Sequence, residues 1–136
     1  MTESIRTHIL LADDDPEDQE LLKEALAQKE PDLDITSVWD GQEVLSYLGS
    51  CPDNALPCLI LLDYKMPVLN GAEVLESLCR DPRLASIPKV VWSSSNQKEY
   101  VDNCITNGAL QFFIKPNSQN ELKKIADLLL VLCHRS

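Results

Sequence analysis

The chain has 136 residues, enough to bury one substantial core and too few for a second domain of comparable size. Its apolar share of 44% and charged share of 25% are those of a globular protein, which excludes general disorder. A formal charge of −10 argues against non-specific nucleic-acid binding, because neutralising phosphates requires clustered Lys and Arg.

The charge is uneven. Residues 1–35 carry 11 of the 22 acids against three bases, and residues 111–136 carry four bases against two acids, so the first helix is expected to be acidic and the last mildly basic. Five cysteines (Cys51, Cys58, Cys79, Cys104, Cys133) show neither a CxxC pair nor zinc-ligand spacing, and their odd count reads most simply as reduced thiols. No apolar secretory core stands at the N-terminus, and no run approaches the roughly 20 apolar residues that span a bilayer. The expectation is a cytoplasmic protein with no membrane association.

Short apolar runs alternate with longer helical patterns, the rhythm of βα units around a parallel sheet. The first strand covers about residues 7–12. Asp15 then fits an N-cap and Pro16 a first helical position, with Leu21, Leu22, Ala25 and Leu26 as the apolar face of a helix ending near Glu30-Pro31. Residues 35–39 form a second strand, and Asp40-Gly41 opens a short helix carrying Val44, Leu45 and Leu48 that Gly49 is expected to stop. The third strand, residues 58–62, is apolar throughout, as a central strand covered on both faces must be. A helix over residues 71–80 comes next, with Val74, Leu75 and Leu78 inward and Asp81-Pro82 as its breaker. Residues 87–93 make strand four, 97–107 helix four, 110–114 strand five and 118–133 the last helix. Leu128 to Leu132 in that helix is more apolar than one buried face requires, which hints at an interface.

The residues at the exit of each strand carry the functional signal. Leu59-Ile60-Leu61-Leu62 ends in Asp63, Ile9-Leu10-Leu11-Ala12 in Asp13-Asp14-Asp15, Val90-Val91-Trp92 in Ser93-Ser94-Ser95, and Phe112-Phe113-Ile114 in Lys115-Pro116. In an open parallel α/β sheet the carboxyl ends of neighbouring strands share one edge, where such folds bind their ligands. Acids, a hydroxyl and an amine are therefore expected to converge.

Those four motifs, together with Tyr64-Lys65-Met66-Pro67 and Asn70-Gly71, resemble the receiver domain of two-component response regulators, of the stand-alone CheY-like kind. The resemblance spans almost the whole chain. It implies a flavodoxin-like (βα)5 sandwich, with a five-stranded parallel sheet in the order 2-1-3-4-5 and helices on both faces. It treats residues 1–136 as a single receiver domain, with its core at about 7–133 and no output domain.

The resemblance also assigns roles. Asp63 is the phosphoacceptor, a carboxylate that attacks a phosphoryl group held in line once its charge is neutralised. Asp14 binds Mg²⁺ directly, Asp13 largely through water, Asp63 as a further ligand and Lys65 through its backbone carbonyl, a hard-oxygen set of the kind Mg²⁺ prefers. Without metal, three neighbouring carboxylates repel one another and at least one pKa is expected to rise. Asp15 falls outside this set and reads as a helix cap. Ser93 and Lys115 match the hydroxyl and the amine that bind phosphoryl oxygens, with a cis Lys115-Pro116 peptide expected to aim the lysine inward. Ser93 and Phe112 occupy the switch positions, and Phe112 lacks the hydroxyl that a tyrosine supplies there. Lys65 and Ser95 fill the positions that tune loss of the phosphate, and Trp92 stands where it would limit motion of the Ser93 loop.

The function implied is a phosphorelay protein and not an enzyme. It takes a phosphoryl group from a histidine kinase or phosphotransfer protein and signals to a target through the face of helix four, strand five and helix five, or passes the phosphate on. That face dimerises in some relatives, so a homodimer is within the range the resemblance allows. Two rival readings stand beside it: a phosphorylation-independent adaptor, and a magnesium-dependent phosphohydrolase of the haloacid dehalogenase type. The latter characteristically carries an acid two residues after the nucleophile, where this chain has Lys65.

Overall fold

In chain order, β1 (His8–Ala12) leads to α1 (Pro16–Lys29), β2 (Asp34–Val38) to α2 (Gly41–Ser50), and β3 (Leu59–Asp63) to α3 (Gly71–Leu78). Then β4 (Lys89–Ser93) leads to α4 (Lys98–Thr106) and β5 (Gln111–Ile114) to α5 (Gln119–His134). These elements belong to a computed structural model that describes residues 7–134. All strand pairs are parallel, in the order β2-β1-β3-β4-β5. The expected (βα)5 architecture is thus the observed one.

The central strands are apolar on both faces because each face is covered. Leu10, Ala12, Ile60, Leu62 and Val91 pack against Val44, Leu48, Val74, Leu75 and Cys104 of α2, α3 and α4. The alternate residues Ile9, Leu11, Leu59, Leu61, Val90 and Trp92 pack against Leu22 and Leu26 of α1 and Leu122, Ala126, Leu129 and Leu132 of α5. That two-residue alternation divides the core into two layers, one on each side of the sheet. It places Trp92 under α1 and α5, on the face opposite α4.

Local signals fix the ends of the elements that carry the site. Asp15 caps α1 by accepting from the Glu17 and Asp18 amides, with Pro16 at the first helical position. Asn70 and Glu73 form a reciprocal capping box at α3. Gly71 is required by close approach: a Cβ there would lie 3.0 Å from the Asp63 carbonyl oxygen, and its own amide donates to the Tyr64 carbonyl at 2.8 Å. Gly108 takes φ +102° after α4, as a helix stop of this kind needs.

Three expectations fail here. Gly49 does not stop α2, which runs on to Ser50 and closes with the Cys51 amide returning to Leu48. A glycine in a last turn costs little when the helix is ending anyway. In α1, Leu21 lies at the surface and Gln19 is buried in its place. The Gln19 amide nitrogen donates to the carbonyls of both Asp13 and Val38, which offsets part of the cost of burying that amide, whose Oε1 finds no hydrogen-bond partner among the described residues. Finally, not all five thiols stand alone: Cys58 and Cys133 are joined in a disulfide, their Cα atoms 5.0 Å apart. Docking the end of α5 beneath β3 brings together two cysteines 75 positions apart in sequence, a pairing that spacing alone does not signal.

Candidate functional site

The register of the sheet brings the strand exits level. Ala12 pairs with Leu62, Asp63 with Trp92, and Ser93 with Ile114, so Asp13, Asp63, Ser93 and Lys115 emerge on one edge. The Lys115 amide extends the ladder by donating to the Ser93 carbonyl at 2.8 Å.

Carboxylate oxygens of Asp13, Asp14 and Asp63 lie within 4.8 Å of one another. Asp13 and Asp63 are buried and Asp14 is exposed, so the cluster has two walled sides and one open to solvent. Asp13 Oδ1 accepts from the Asp15 amide at 2.9 Å. Its Oδ2 lies 2.9 Å from Lys115 Nζ as an ion pair without a directed hydrogen bond. That buried oxygen, short of donors and beside two further carboxylates, suits a hard divalent cation.

The carboxylates respond to this crowding. Burial, and then the charge of Asp13, raise the Asp63 carboxyl to about 7, against the opposing pull of Lys115. Burial also raises Asp13, with the Asp15 amide and Lys115 working the other way. Without a cation, protonation of Asp63 therefore competes with its use as a nucleophile, and positive charge favours its ionised form.

Lys115 is nearly enclosed. Its Nζ lies 2.8 Å from Asp18, 2.9 Å from Asp13 and 3.4 Å from Asp63. It also stands 5.4 Å over the ring of Trp92, within cation–π range. Burial works against its charge, but the acids outweigh that and hold the ammonium above the ordinary lysine value. The cis Lys115-Pro116 peptide is not found: no described peptide bond is cis, and the lysine is drawn inward by the carboxylates instead.

Ser93 is buried and its Oγ accepts from the Ser95 amide at 3.2 Å, which leaves its hydroxyl proton free to be donated. Phe112 is half-buried against the α4 side of the core. Ser95 is half-buried, whereas the Lys65 side chain is exposed with its Nζ 5.5 Å over the Tyr100 ring. Tyr100 in turn stacks on Tyr64 at 4.2 Å between centroids. Trp92 lies on the far side of the sheet from α4, under Lys115, so it does not stand in the path of the Ser93 loop as the sequence suggested.

Asp18, Gln19 and Tyr100 join this neighbourhood without having been marked by the sequence motifs. A signal existed for Gln19: it shares the 19, 22, 26 helical face with Leu22 and Leu26, where a polar residue calls for a partner.

A parallel sheet in this order with an acidic pocket at its carboxyl edge defines the receiver class. Residues 9–127 match the response regulator receiver domain family, and the chain belongs to it. It is 32% identical over 130 residues to the two-component response regulator ARR15 of Arabidopsis thaliana, covering 90% of this chain and 62% of that protein. It is 30% identical over 123 residues to ORR5 of Oryza sativa subsp. japonica, covering 90% of this chain and 88% of the relative. The chain thus spans less than two thirds of the first of these relatives. Among solved structures, the phosphorylated cyanobacterial phytochrome response regulator RcpA is similar, with a TM-score of 0.82 at 30% identity over 92% of this chain and 94% of that one. The Mn²⁺-bound response regulator Rcp1 is similar with a TM-score of 0.77 at 28% identity, covering 88% of each chain. No described helix is long and apolar enough to cross a membrane.

Proposed function

We propose that the chain is a phosphorelay module that accepts a phosphoryl group on Asp63 from a histidine kinase or a phosphotransfer protein, with Mg²⁺ in the acidic pocket. The observation that carries this reading is the convergence of Asp13, Asp14 and Asp63 with Lys115 and Ser93 on one sheet edge. The Mn²⁺-bound relative and the phosphorylated relative support it by likeness of fold.

Asp13, Asp14, Asp63 and the Lys65 carbonyl would hold the cation, which supplies charge neutralisation for an anionic phosphoryl donor. Asp63 provides the attacking carboxylate oxygen. The bond from phosphorus to the donor nitrogen breaks as the bond to the Asp63 oxygen forms, and the donor imidazole keeps the electron pair. Ser93 donates its hydroxyl to one phosphoryl oxygen, and the Lys115 ammonium binds another. Phe112 follows the Ser93 loop by packing alone, because it has no hydroxyl to bond with. Lys65 and Ser95 occupy the positions that tune how readily the phosphate is lost.

Signal leaves through the α4–β5–α5 face, where Ile105, Leu110 and Ile114 are exposed apolar side chains available to a partner protein or a second copy. The switch is a population shift that favours the loop arrangement binding phosphate better. The role proposed is signalling and not turnover of a substrate. With Lys65 two residues beyond Asp63, the position of a phosphohydrolase's general acid holds a cation, which argues against a phosphohydrolase of that type.

Intact mass after incubation with acetyl phosphate and Mg²⁺ tests the reading. One phosphate adduct is expected on the wild type and none on Asp63→Asn or on the wild type in excess chelator. Equal labelling of Asp63→Asn would sink the assignment.

A further inference from the structure

The Asp18–Lys115 pair is not explained by binding of a cation or a phosphoryl group. Asp18 lies in the first turn of α1, outside the metal-binding set, and makes the shortest of the three contacts to the Lys115 ammonium. An ammonium has three protons to donate. Here three carboxylates surround it at 2.8, 2.9 and 3.4 Å, and the longest of these distances is the one to Asp63. Lys115 is thus drawn toward α1 and off the acceptor. A cavity of about 340 Å³ opens on the same side, walled by Asp18, Leu21, Trp92, Lys115, Pro116 and Leu122, so neither side chain is jammed in place by packing.

We propose that Asp18 is a positioning residue that tethers Lys115 in the resting protein and competes with the phosphoryl group for its ammonium. The inference rests on the phosphoacceptor reading above and adds a restraint to it. Asp13 and Asp63 belong to the acceptor pocket itself, whereas Asp18 stands outside the acid cluster and meets it only through the lysine. Its charge therefore opposes capture of an incoming phosphoryl oxygen by Lys115, while Asp18 itself stands outside the carboxylates placed to ligate a cation. Arriving phosphate must loosen the Asp18 contact, and the strength of that contact sets part of the resting bias.

The test uses beryllofluoride with Mg²⁺ as the phosphoryl mimic, read by Trp92 fluorescence in a Trp39→Phe background. Loss of a partly exposed ion pair predicts that Asp18→Asn binds the mimic about fivefold more tightly than the parent. Asp18→Glu, which keeps the charge, is expected to restore the parent affinity to within about twofold. In a Lys115→Ala background the Asp18→Asn effect is expected to vanish, as a residue acting through the lysine requires. Unchanged or weaker binding by Asp18→Asn would overturn the tether, and so would a gain that survives removal of Lys115, which would reflect bare charge at the site.

Side-chain NMR of the Lys115 ammonium tests the tether without any phosphoryl ligand. Proton exchange slowed in the parent is expected to quicken in Asp18→Asn and not in Asp18→Glu. No change between the three would overturn it. If the parent fails to bind the mimic, the phosphoacceptor reading fails on that result, while the ammonium measurement still decides the tether.

Discussion

Two enclosed lysines stand at opposite ends of β4 and β5 and do opposite things. At the amino end, Lys89 is buried and donates from Nζ to the uncharged Leu84 carbonyl at 2.6 Å. Burial there lowers its pKa. At the carboxyl end, Lys115 meets three carboxylates, which together raise its pKa despite burial. The amino edge of the sheet is built to stay as it is: Lys89 ties β4 to the turn before it, His8 bonds Thr36 across to β2, and Cys58 joins Cys133. The carboxyl edge gathers charges whose balance depends on what arrives. A buried ammonium on a neutral carbonyl is a structural strut, whereas one among mutually repelling acids is a group whose partners can be exchanged.

That contrast is open to attack at both ends. The largest effect on stability is expected at the amino edge. Closing a loop of this length by a disulfide is worth about 4 kcal/mol in the chain-entropy account. Cys58→Ser is therefore expected to lower unfolding free energy by about that amount in oxidising buffer and by far less in reductant. Mimic binding at the other edge is expected to stay unchanged. Equal stability of the two proteins in oxidising buffer would remove the pair from the list of fixed contacts.

Next in size is Lys115→Met. It leaves buried acids without their cation and is expected to cost about 3 kcal/mol while weakening mimic binding at least roughly tenfold. Lys89→Met, which exchanges a charge–carbonyl contact for apolar packing, is expected to stay within about 1 kcal/mol of the wild type and to bind the mimic normally. Similar binding losses in the two variants would erase the distinction drawn between them.

A further contrast is in pH dependence, where the ends titrate in opposite senses. Burial lowers the His8 imidazole from 6.5, so the folded state binds fewer protons than the unfolded chain, and stability from this group is lost as pH falls through that value. Asp63 runs the other way. With its folded value near 7 against 3.8 in the unfolded chain, the folded state holds an extra proton between them, and stability falls as pH rises from about 4 to 7. In chelator, Asp63→Asn is expected to lose that decline and His8→Gln to steepen it. Denaturant unfolding from pH 4 to 8 reads both, and an unchanged slope in Asp63→Asn would mean that its carboxyl is not raised by folding.

The legible parts of this molecule were those encoded locally. Four apolar runs ending in Asp13, Asp63, Ser93 and Lys115 announced both the strands and the shared edge, because strand burial and strand exit are written in neighbouring residues. Asp15 as a cap was readable for the same reason. The contacts that escaped are long-range. Asp18 reaches Lys115 across 97 positions, and Cys58 reaches Cys133 across 75, so neither leaves a periodic trace. The misplacement of Leu21 and Gln19 came from ranking residues by polarity. An amide nitrogen that satisfies two strand-end carbonyls at 2.8 Å each holds Gln19 in the interior even with its oxygen unpartnered, and a leucine beside it is displaced to the surface.

The bond between Cys58 and Cys133 also gives the chain a covalent shape. From Cys58 to Cys133 the polypeptide is a ring that contains β3 to β5 and with them Asp63, Ser93 and Lys115, while residues 7–57 form a tail bearing Asp13, Asp14 and Asp18. Because β1 pairs with β2 on one side and β3 on the other, the tail must thread its first strand against the ring before the acids meet the acceptor. A cut in the exposed turn Asp53–Ala55 would therefore leave two covalently separate pieces, one bearing Asp13, Asp14 and Asp18 and the other Asp63, Ser93 and Lys115, joined only by contacts such as the β1–β3 pairing. The same junction is a natural place to split the protein into fragments whose reassembly reports on β1 insertion.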